Sequence, residues 1–113
     1  MTGEKVDNRK IASEKFNLEN LIGYQEGSVV SKSIIGKKTG TVTLFAFDTD
    51  QGLSEHTAPY EAIVYVVEGE ANIIISGKEQ ILKKGEMVIL PANEPHALKA
   101  VQKFKMLLTM IRA

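Results

Sequence analysis

From Ser28 to the C-terminus the sequence consists of short apolar runs, and no segment between them has the length or periodicity of a helix. Most runs either alternate with a period of two or are apolar throughout, which is typical of β-strands. Turn-forming residues separate them, for example between Asp48 and Gly52 and around Gly69. The runs are SVVSKSII, GTVTLFAF, AIVYVV, ANIIIS, EQILKK, EMVIL, HALKAV and FKMLLTMI.

This succession of strands predicts an all-β fold. Parallel strands need long crossover connections, usually helices, and about 85 residues holding eight runs leave no room for them. An antiparallel jelly-roll barrel is therefore the predicted architecture. A sandwich of the immunoglobulin type is the structural alternative.

The N-terminal 27 residues carry mixed charges and little periodicity. Leu18, Leu21 and Ile22 share one face of a short helical turn, and Asn17 is a candidate N-cap. We expect residues 1–27 to form an arm that packs on the barrel or on a partner chain, and residues 28–113 to form the barrel. A chain of 113 residues suits one domain.

Composition narrows the possible partners. Lys plus Arg and Asp plus Glu are both 14, and the chain lacks a dense basic cluster, so nucleic acids and anionic membranes are not expected partners. The chain has no cysteine, which excludes disulfides, zinc–thiolate sites and cysteine nucleophiles. No signal-like or membrane-spanning apolar segment is evident, so we expect a cytoplasmic protein.

The chain has two histidines, and each lies beside a turn at the edge of a predicted strand. His96 ends the segment GEMVILPANEPH, in which Gly85, Pro91 and His96 have a long, constrained spacing. This segment resembles the second motif of the cupin superfamily. Asn93 replaces the usual glycine there and tolerates the same left-handed turn, while Ala100 replaces the family's asparagine.

The segment HTAPYEAIVYVVEG resembles the first cupin motif with half of its ligands missing. When it is aligned on His56 and Gly69, Ala58 replaces the second histidine and Ala62 replaces the glutamate, and Gly52 is two residues away from its expected place. The chain is similar to small single-domain microbial cupins of unassigned activity with a degenerate first motif. The resemblance covers roughly residues 40–110 and implies a double-stranded β-helix, or jelly-roll barrel.

The resemblance also implies a divalent transition metal, nickel, iron, manganese or zinc, held by three histidines and a carboxylate. Of these ligand positions the sequence keeps His56 and His96. Catalytic zinc generally needs three protein ligands, and non-haem iron needs two histidines and a carboxylate. Glu61 is a weak candidate for the missing carboxylate, because one step along a strand reverses the side chain and a bulge after Pro59 is needed to re-aim it.

Strand parity predicts which side chains face the barrel interior. We expect a roomy, mostly apolar pocket with the two histidines at its polar end and Lys105 facing water or an interface. Met106 and Met110 are soft copper ligands in principle, although core packing is the favoured interpretation. The predicted pocket residues are His56, His96, Tyr60, Val64, Leu98, Met106 and Leu108, with Ala62, Val66, Ala100, Phe104 and Met110 also inward.

The run AIVYVV is apolar on both faces, which predicts a second cover outside the barrel. In so small a barrel that cover is plausibly a second subunit, packed over Ile63, Tyr65 and Val67, and we expect a homodimer.

Three functional hypotheses follow. In the first, the chain binds a small organic molecule in an apolar barrel pocket with His56 and His96 at its polar end. In the second it is an enzyme, dioxygenase-like or isomerase-like, with a metal in a reduced ligand set or with a histidine base. In the third it is a structural or regulatory dimerisation module.

Overall fold

The computed structural model describes the backbone of residues 2–5 and the whole of residues 12–112. The elements are β1 (Thr2–Lys5), a 3-10 helix (Leu18–Asn20), β2 (Val29–Lys37), β3 (Gly40–Phe47), β4 (Gly52–His56), β5 (Glu61–Ile75), β6 (Lys78–Lys83), β7 (Met87–Leu90), β8 (His96–Lys99) and β9 (Phe104–Ile111). Among these residues no helix has the length and hydrophobicity needed to span a lipid bilayer.

The strands form a curled sheet in which β5 is the central element. The order is β1-β2-β3-β9-β5-β8-β4, and β6 and β7 also pair with β5. The first half of β5 pairs with β7 and β9, and its second half pairs with β6 and β8. Every described pairing is antiparallel except that of β1 with β2. The prediction of an all-β jelly-roll barrel is confirmed.

Two boundaries predicted from the sequence were wrong. The segment around Gly69 is not a turn, because β5 continues through it for 15 residues with a bulge between Val66 and Glu68. Gly69 has φ 75°, and a Cβ there would lie 2.3 Å from the carbonyl oxygen of Lys103, so this bend requires glycine. Gly52 begins the strand β4, which sequence analysis treated as part of a turn.

The barrel interior holds one apolar core. The inward parity predicted for β5 and β9 is observed, since Val64, Val66, Phe104 and Met106 are all fully buried. Phe47 stacks on Phe104 with ring centroids 4.5 Å apart. Burial of such side chains contributes roughly 1.5–3 kcal/mol each, so this core is the main source of stability.

A second apolar cluster lies on the outside of the barrel. There Leu18, Leu21, Ile22 and Tyr24 from the N-terminal segment cover Val67 and its neighbours. The cover expected from a second subunit at Val67 is thus supplied by the same chain. Asn17 caps the 3-10 helix as expected, with its side chain accepting a hydrogen bond from the Glu19 amide at 3.0 Å.

The same segment explains why the prediction for Lys105 was wrong. Lys105 is 7% exposed, because its Nζ donates to the carbonyl oxygen of Glu19 at 2.6 Å beneath the N-terminal segment. The carboxylate of Glu68 lies 3.7 Å away and balances the charge. Lys32 donates in the same way to the carbonyl oxygen of Leu21 at 2.7 Å. Two lysines on the barrel therefore hold this segment by its backbone.

The rest of this outer face carries exposed apolar side chains. Ile63 on β5 is directly paired with Ile89 on β7 and with Thr109 on β9, so these residues form a continuous row. Around the row the exposed large apolar residues are Ile35, Tyr65, Met87, Ile89 and Ile111. Together with Ile63, these residues form the outer apolar face.

Candidate functional site

The two histidines meet at one end of the barrel. His56 ends β4 and His96 begins β8, and the two residues are directly paired across the antiparallel ladder. The loop before His96 turns through Asn93, which has φ 66° and whose amide donates to the carbonyl oxygen of Ala58 at 2.7 Å. This bond ties the two histidine-bearing loops together, so pairing and turn chemistry fix the site.

The two rings are in direct contact through their Nε2 atoms. These atoms are 3.2 Å apart, and the ring planes are inclined at 70°. The Nδ1 of His56 lies 2.8 Å from the carbonyl oxygen of Ser54, and the Nδ1 of His96 lies 3.2 Å from that of Glu94. Carbonyl oxygens only accept, so each of these contacts requires a hydrogen on Nδ1.

This geometry lacks one hydrogen. Three contacts, two to carbonyl oxygens and one between the Nε2 atoms, need three N–H groups, whereas two neutral imidazoles carry two. With both Nδ1 atoms protonated, the two Nε2 lone pairs point at each other. Because His56 is exposed, an extra proton, a donor group from water or from a ligand, or a metal cation can resolve this conflict.

Burial works against the extra proton on one ring. His96 is 6% exposed, and this burial lowers its pKa below the ordinary value, although the contact with the Glu94 carbonyl opposes the shift and the nearby His56 adds to it. The charged form of His96 is therefore disfavoured near neutral pH.

Next to the rings lies a small, mostly apolar cavity of about 40 Å³. It has space for about three water molecules, and it is far smaller than the roomy pocket expected from the sequence. The lining residues are Leu53, His56, Ala58, Tyr60, Ala62, Leu90, His96, Leu98, Met106, Leu108 and Met110.

The structure brings together six of the seven predicted pocket residues. Val64 is the exception, since it is fully buried in the core and does not line the cavity. Sequence analysis missed Leu53 and Leu90. Leu53 follows the segment treated as a turn and lies in β4, a strand that was not among the predicted runs. Leu90 had a detectable signal, because it ends an apolar run immediately before Pro91.

No carboxylate lines the cavity. Glu61 is exposed and lines shallow grooves outside the barrel. The carboxylate of Glu94 accepts a hydrogen bond from the Ser76 hydroxyl at 3.0 Å, and Glu55 is exposed. Within residues 2–5 and 12–112 no group of three or more His, Cys, Asp or Glu side chains is placed to hold a metal ion. The expected site for a divalent metal is therefore incomplete in this part of the chain.

Tyr60 connects the cavity to the surface. It lines both the cavity and an outer groove of about 230 Å³, and Arg112 lies over its ring at 5.8 Å. The groove is large enough for part of an organic molecule, whereas the cavity itself admits only a few atoms.

Comparison with known proteins agrees with this architecture. A family model described as a cupin domain matches residues 43–112. A conserved protein of unknown function from Streptococcus pyogenes is 27% identical, with a TM-score of 0.85 and 89% of each chain covered.

Two further solved structures are similar. A cupin 2 conserved barrel domain protein from Leptotrichia buccalis is 42% identical with a TM-score of 0.82, over 85% of this chain and 47% of the other. A cupin superfamily protein from Desulfitobacterium hafniense is 24% identical with a TM-score of 0.85, over 89% and 93% of the two chains. No curated protein sequence matches the chain.

Proposed function

Because this chain belongs to the cupin superfamily, we propose that the cavity beside His56 and His96 is its functional site and binds the polar end of a small organic molecule. The observation that carries the proposal is the contact between the two Nε2 atoms at 3.2 Å, which lacks a hydrogen. A hydroxyl or carboxylic acid group supplies that hydrogen by donating to one Nε2. The cavity volume limits this end of the ligand to a few atoms, and the remainder lies in the groove beside Tyr60.

The two histidines make a sensitive test possible. In uniformly 15N-labelled, metal-free protein, imidazole NMR spectra contain the signals of these two rings and no others. A panel of small alcohols and carboxylic acids is titrated while both rings are followed. A true ligand shifts both rings, and His96→Ala abolishes binding without unfolding the chain.

The matched control is Glu79→Gln, an exposed change on the edge strand β6, which leaves ligand shifts unchanged. If every compound leaves both rings unshifted, the proposal fails. Loss of fold in both His56→Ala and His96→Ala would instead favour a structural role for the pair.

The Nε2 spacing also favours a second candidate, a metal-dependent enzyme with a reduced ligand set. Two imidazole nitrogens about 3.2 Å apart are suitably placed to share one metal ion at bonds of about 2.0 Å. In that case a bound ion would polarise a substrate oxygen as a Lewis acid. The residues of this chain orient the site: the Ser54 and Glu94 carbonyls hold the rings, and Tyr60 borders the substrate groove.

We further propose that the protein is a homodimer that buries the outer apolar face. Five large apolar side chains there are between 37% and 55% exposed, and the groove between Ile63, Ile89 and Ile111 has a volume of about 190 Å³. Contiguous exposed apolar surface of this kind is typical of interaction sites. A dimer would also suit the structural or regulatory alternative.

A matched pair of variants tests the dimer. Ile89 and Ile81 are both 51% exposed, but Ile89 lies on the outer apolar face, whereas Ile81 lies on β6, which pairs with the second half of β5. We expect Ile89→Lys to give monomers in analytical ultracentrifugation and Ile81→Lys to remain dimeric. A wild-type monomer, or equal effects of the two changes, would contradict the proposed interface.

A further inference from the structure

Arg112 follows the last residue of β9 and falls on the strand face that lines the cavity. Its backbone amide donates to the carbonyl oxygen of Thr39 at 2.8 Å, so the pairing of β9 with β3 continues one residue beyond Ile111. Side chains alternate between the two faces of a strand. Met110 lines the cavity and Ile111 is exposed on the outside, so Arg112 lies on the same face as Met110.

The register of β5 and β9 gives the same placement. Ala62 on β5 is directly paired with Met110 on β9, and both residues line the cavity. Extending this ladder by two residues along each chain aligns Tyr60 with Arg112. The guanidinium carbon of Arg112 does lie 5.8 Å from the centre of the Tyr60 ring. Tyr60 and Arg112 therefore form the layer of side chains immediately outside Ala62 and Met110, at the mouth of the cavity.

The guanidinium of Arg112 is available to a ligand. The residue is exposed, and among residues 2–5 and 12–112 no carboxylate forms an ion pair with it. Its contact with the face of the Tyr60 ring depends on the positive charge and leaves the N–H donors free. A planar guanidinium with free donors binds a carboxylate through two parallel hydrogen bonds.

We propose that Arg112 is the specificity-determining residue of this site and selects ligands that carry a carboxylate. The inference rests on the proposed function and names the class of ligand, a short-chain hydroxy acid. The hydroxyl donates to an Nε2 atom of the histidine pair, and the carboxylate accepts hydrogen bonds from Arg112. Tyr60 lines both the cavity and the outer groove, so it lies between the two ends of the ligand.

Charge favours a carboxylate at the mouth over one inside the cavity. The lining consists of the two histidines, Tyr60 and apolar side chains, and burial disfavours the charged form of His96. An ionised carboxylate inside has no permanently charged cation to pair with, which is unfavourable. At the mouth, Arg112 supplies that cation and water solvates the rest of the carboxylate. A neutral hydroxyl therefore suits the interior, and an anionic group suits the mouth.

Glu61 is a carboxylate that also lines the outer groove. It precedes Ala62, which faces inward, so Glu61 lies on the opposite, outer face of β5. Arg112, in contrast, contacts a ring that lines the cavity. The positive charge is therefore nearer to the ligand than the negative charge, and anions are preferred to cations.

The test compares three probes of equal chain length on protein from which metal has been removed. They are γ-hydroxybutyrate, the diol in which a hydroxymethyl group replaces its carboxylate, and the amino alcohol in which an aminomethyl group replaces it. The two imidazoles and the Nε–H group of Arg112 are followed by 15N NMR. The chain has two arginines, and Arg112→Gln identifies the signal of Arg112.

We expect the hydroxy acid to bind about fivefold more tightly than the diol, because ion pairs at exposed sites are weakened by solvent. The amino alcohol should bind most weakly. All bound probes should shift both imidazoles, and the hydroxy acid alone should shift the Nε–H signal of Arg112. Added salt should reduce the preference for the hydroxy acid over the diol.

Three variants assign the preference to one side chain. Arg112→Gln should abolish it and leave the affinity for the diol unchanged. Arg112→Lys keeps the charge without the paired donors and should retain part of the preference. Lys38→Gln is the matched control, because Lys38 is an exposed cation adjacent to Thr39, the backbone partner of Arg112. This change should leave the preference for the hydroxy acid as in the wild type.

Several outcomes overturn the inference. Equal binding of the hydroxy acid and the diol, with both imidazoles shifted, would refute the role of Arg112 and leave the proposed ligand site standing. Tighter binding of the amino alcohol, an unchanged preference in Arg112→Gln, or an equal loss in Lys38→Gln would also refute that role. If none of the three probes shifts either imidazole, the hydroxy-acid assignment fails, and the wider panel of alcohols and acids decides the proposed function.

Discussion

Placing a carboxylate at position 62 is the most direct test of whether the cavity excludes divalent metal ions. Ala62 is 5% exposed, faces inward, and lines the cavity with both histidines. The change Ala62→Glu adds a carboxylate to a space of about 40 Å³. We expect the variant to lose stability without metal and to gain a strong response to Zn(II).

The expected changes in the free energy of unfolding follow from side-chain packing and from the binding of zinc to the folded state. Extra atoms in a filled core cost about 1–3 kcal/mol, so metal-free Ala62→Glu should be destabilised by that amount. A third ligand completes the set that zinc requires. At a zinc concentration 100 times the Kd, zinc binding raises the free energy of unfolding by about 2.7 kcal/mol. For a domain of this size that corresponds to a rise in Tm of about 10 °C.

The assay is thermal unfolding followed by circular dichroism, with and without Zn(II). Ala62→Gln is the matched control, because it has the same size and no charge. It should show the packing loss without the zinc response. An equal effect of zinc on Ala62→Glu and Ala62→Gln would refute the idea that the missing carboxylate excludes divalent metals from this site.

Two further predictions concern the scaffold. Gly69→Ala should lower the free energy of unfolding measured in urea by at least about 2 kcal/mol, because the new Cβ would lie 2.3 Å from the Lys103 carbonyl oxygen. Gly77 is the control, because its φ is 81° and no atom lies within 4 Å of a Cβ placed there. Gly77→Ala should therefore lower the free energy of unfolding by only about 1 kcal/mol. Burial and the hydrogen bond to Glu68 raise the pKa of Tyr24 above its ordinary value of 10, so the folded chain keeps a proton that the unfolded chain loses. Stability should therefore fall as the pH rises above 10, and Tyr24→Phe should flatten this dependence; an unchanged dependence in Tyr24→Phe would contradict the assignment.

The amino-acid pattern predicted the barrel because most strands have one continuous apolar face. Period-two alternation placed Val66 and Met106 inside correctly, and each is fully buried. The pattern failed at Gly69, because a glycine within a strand that bends where its pairing partners change has the same local signal as a turn. It also failed for Lys105, since the partner that buries this lysine, the Glu19 carbonyl, lies 86 residues away in sequence.

The site was predicted only as far as motif spacing allowed. The resemblance of the segments around His56 and His96 to the two cupin motifs was enough to predict that both histidines share one pocket. The volume of the cavity was not predictable, because it depends on how the lining side chains pack against one another. The contacts to the Ser54 and Glu94 carbonyls were not predictable either, because they depend on loop geometry.

A purely structural histidine pair would be expected to satisfy its own hydrogen bonds, because unsatisfied buried polar groups destabilise a fold. The buried His96 does not achieve this within the pair, since both Nδ1 atoms face carbonyl oxygens and its Nε2 faces that of the exposed His56. Places where a sequence leaves a local rule unsatisfied tend to be functional sites. We therefore expect the hydrogen-bonding needs of the pair to be met from outside the chain, by an organic donor or by an ion. Ala62→Glu and its control Ala62→Gln distinguish these two occupants, because only the glutamate adds a negative charge.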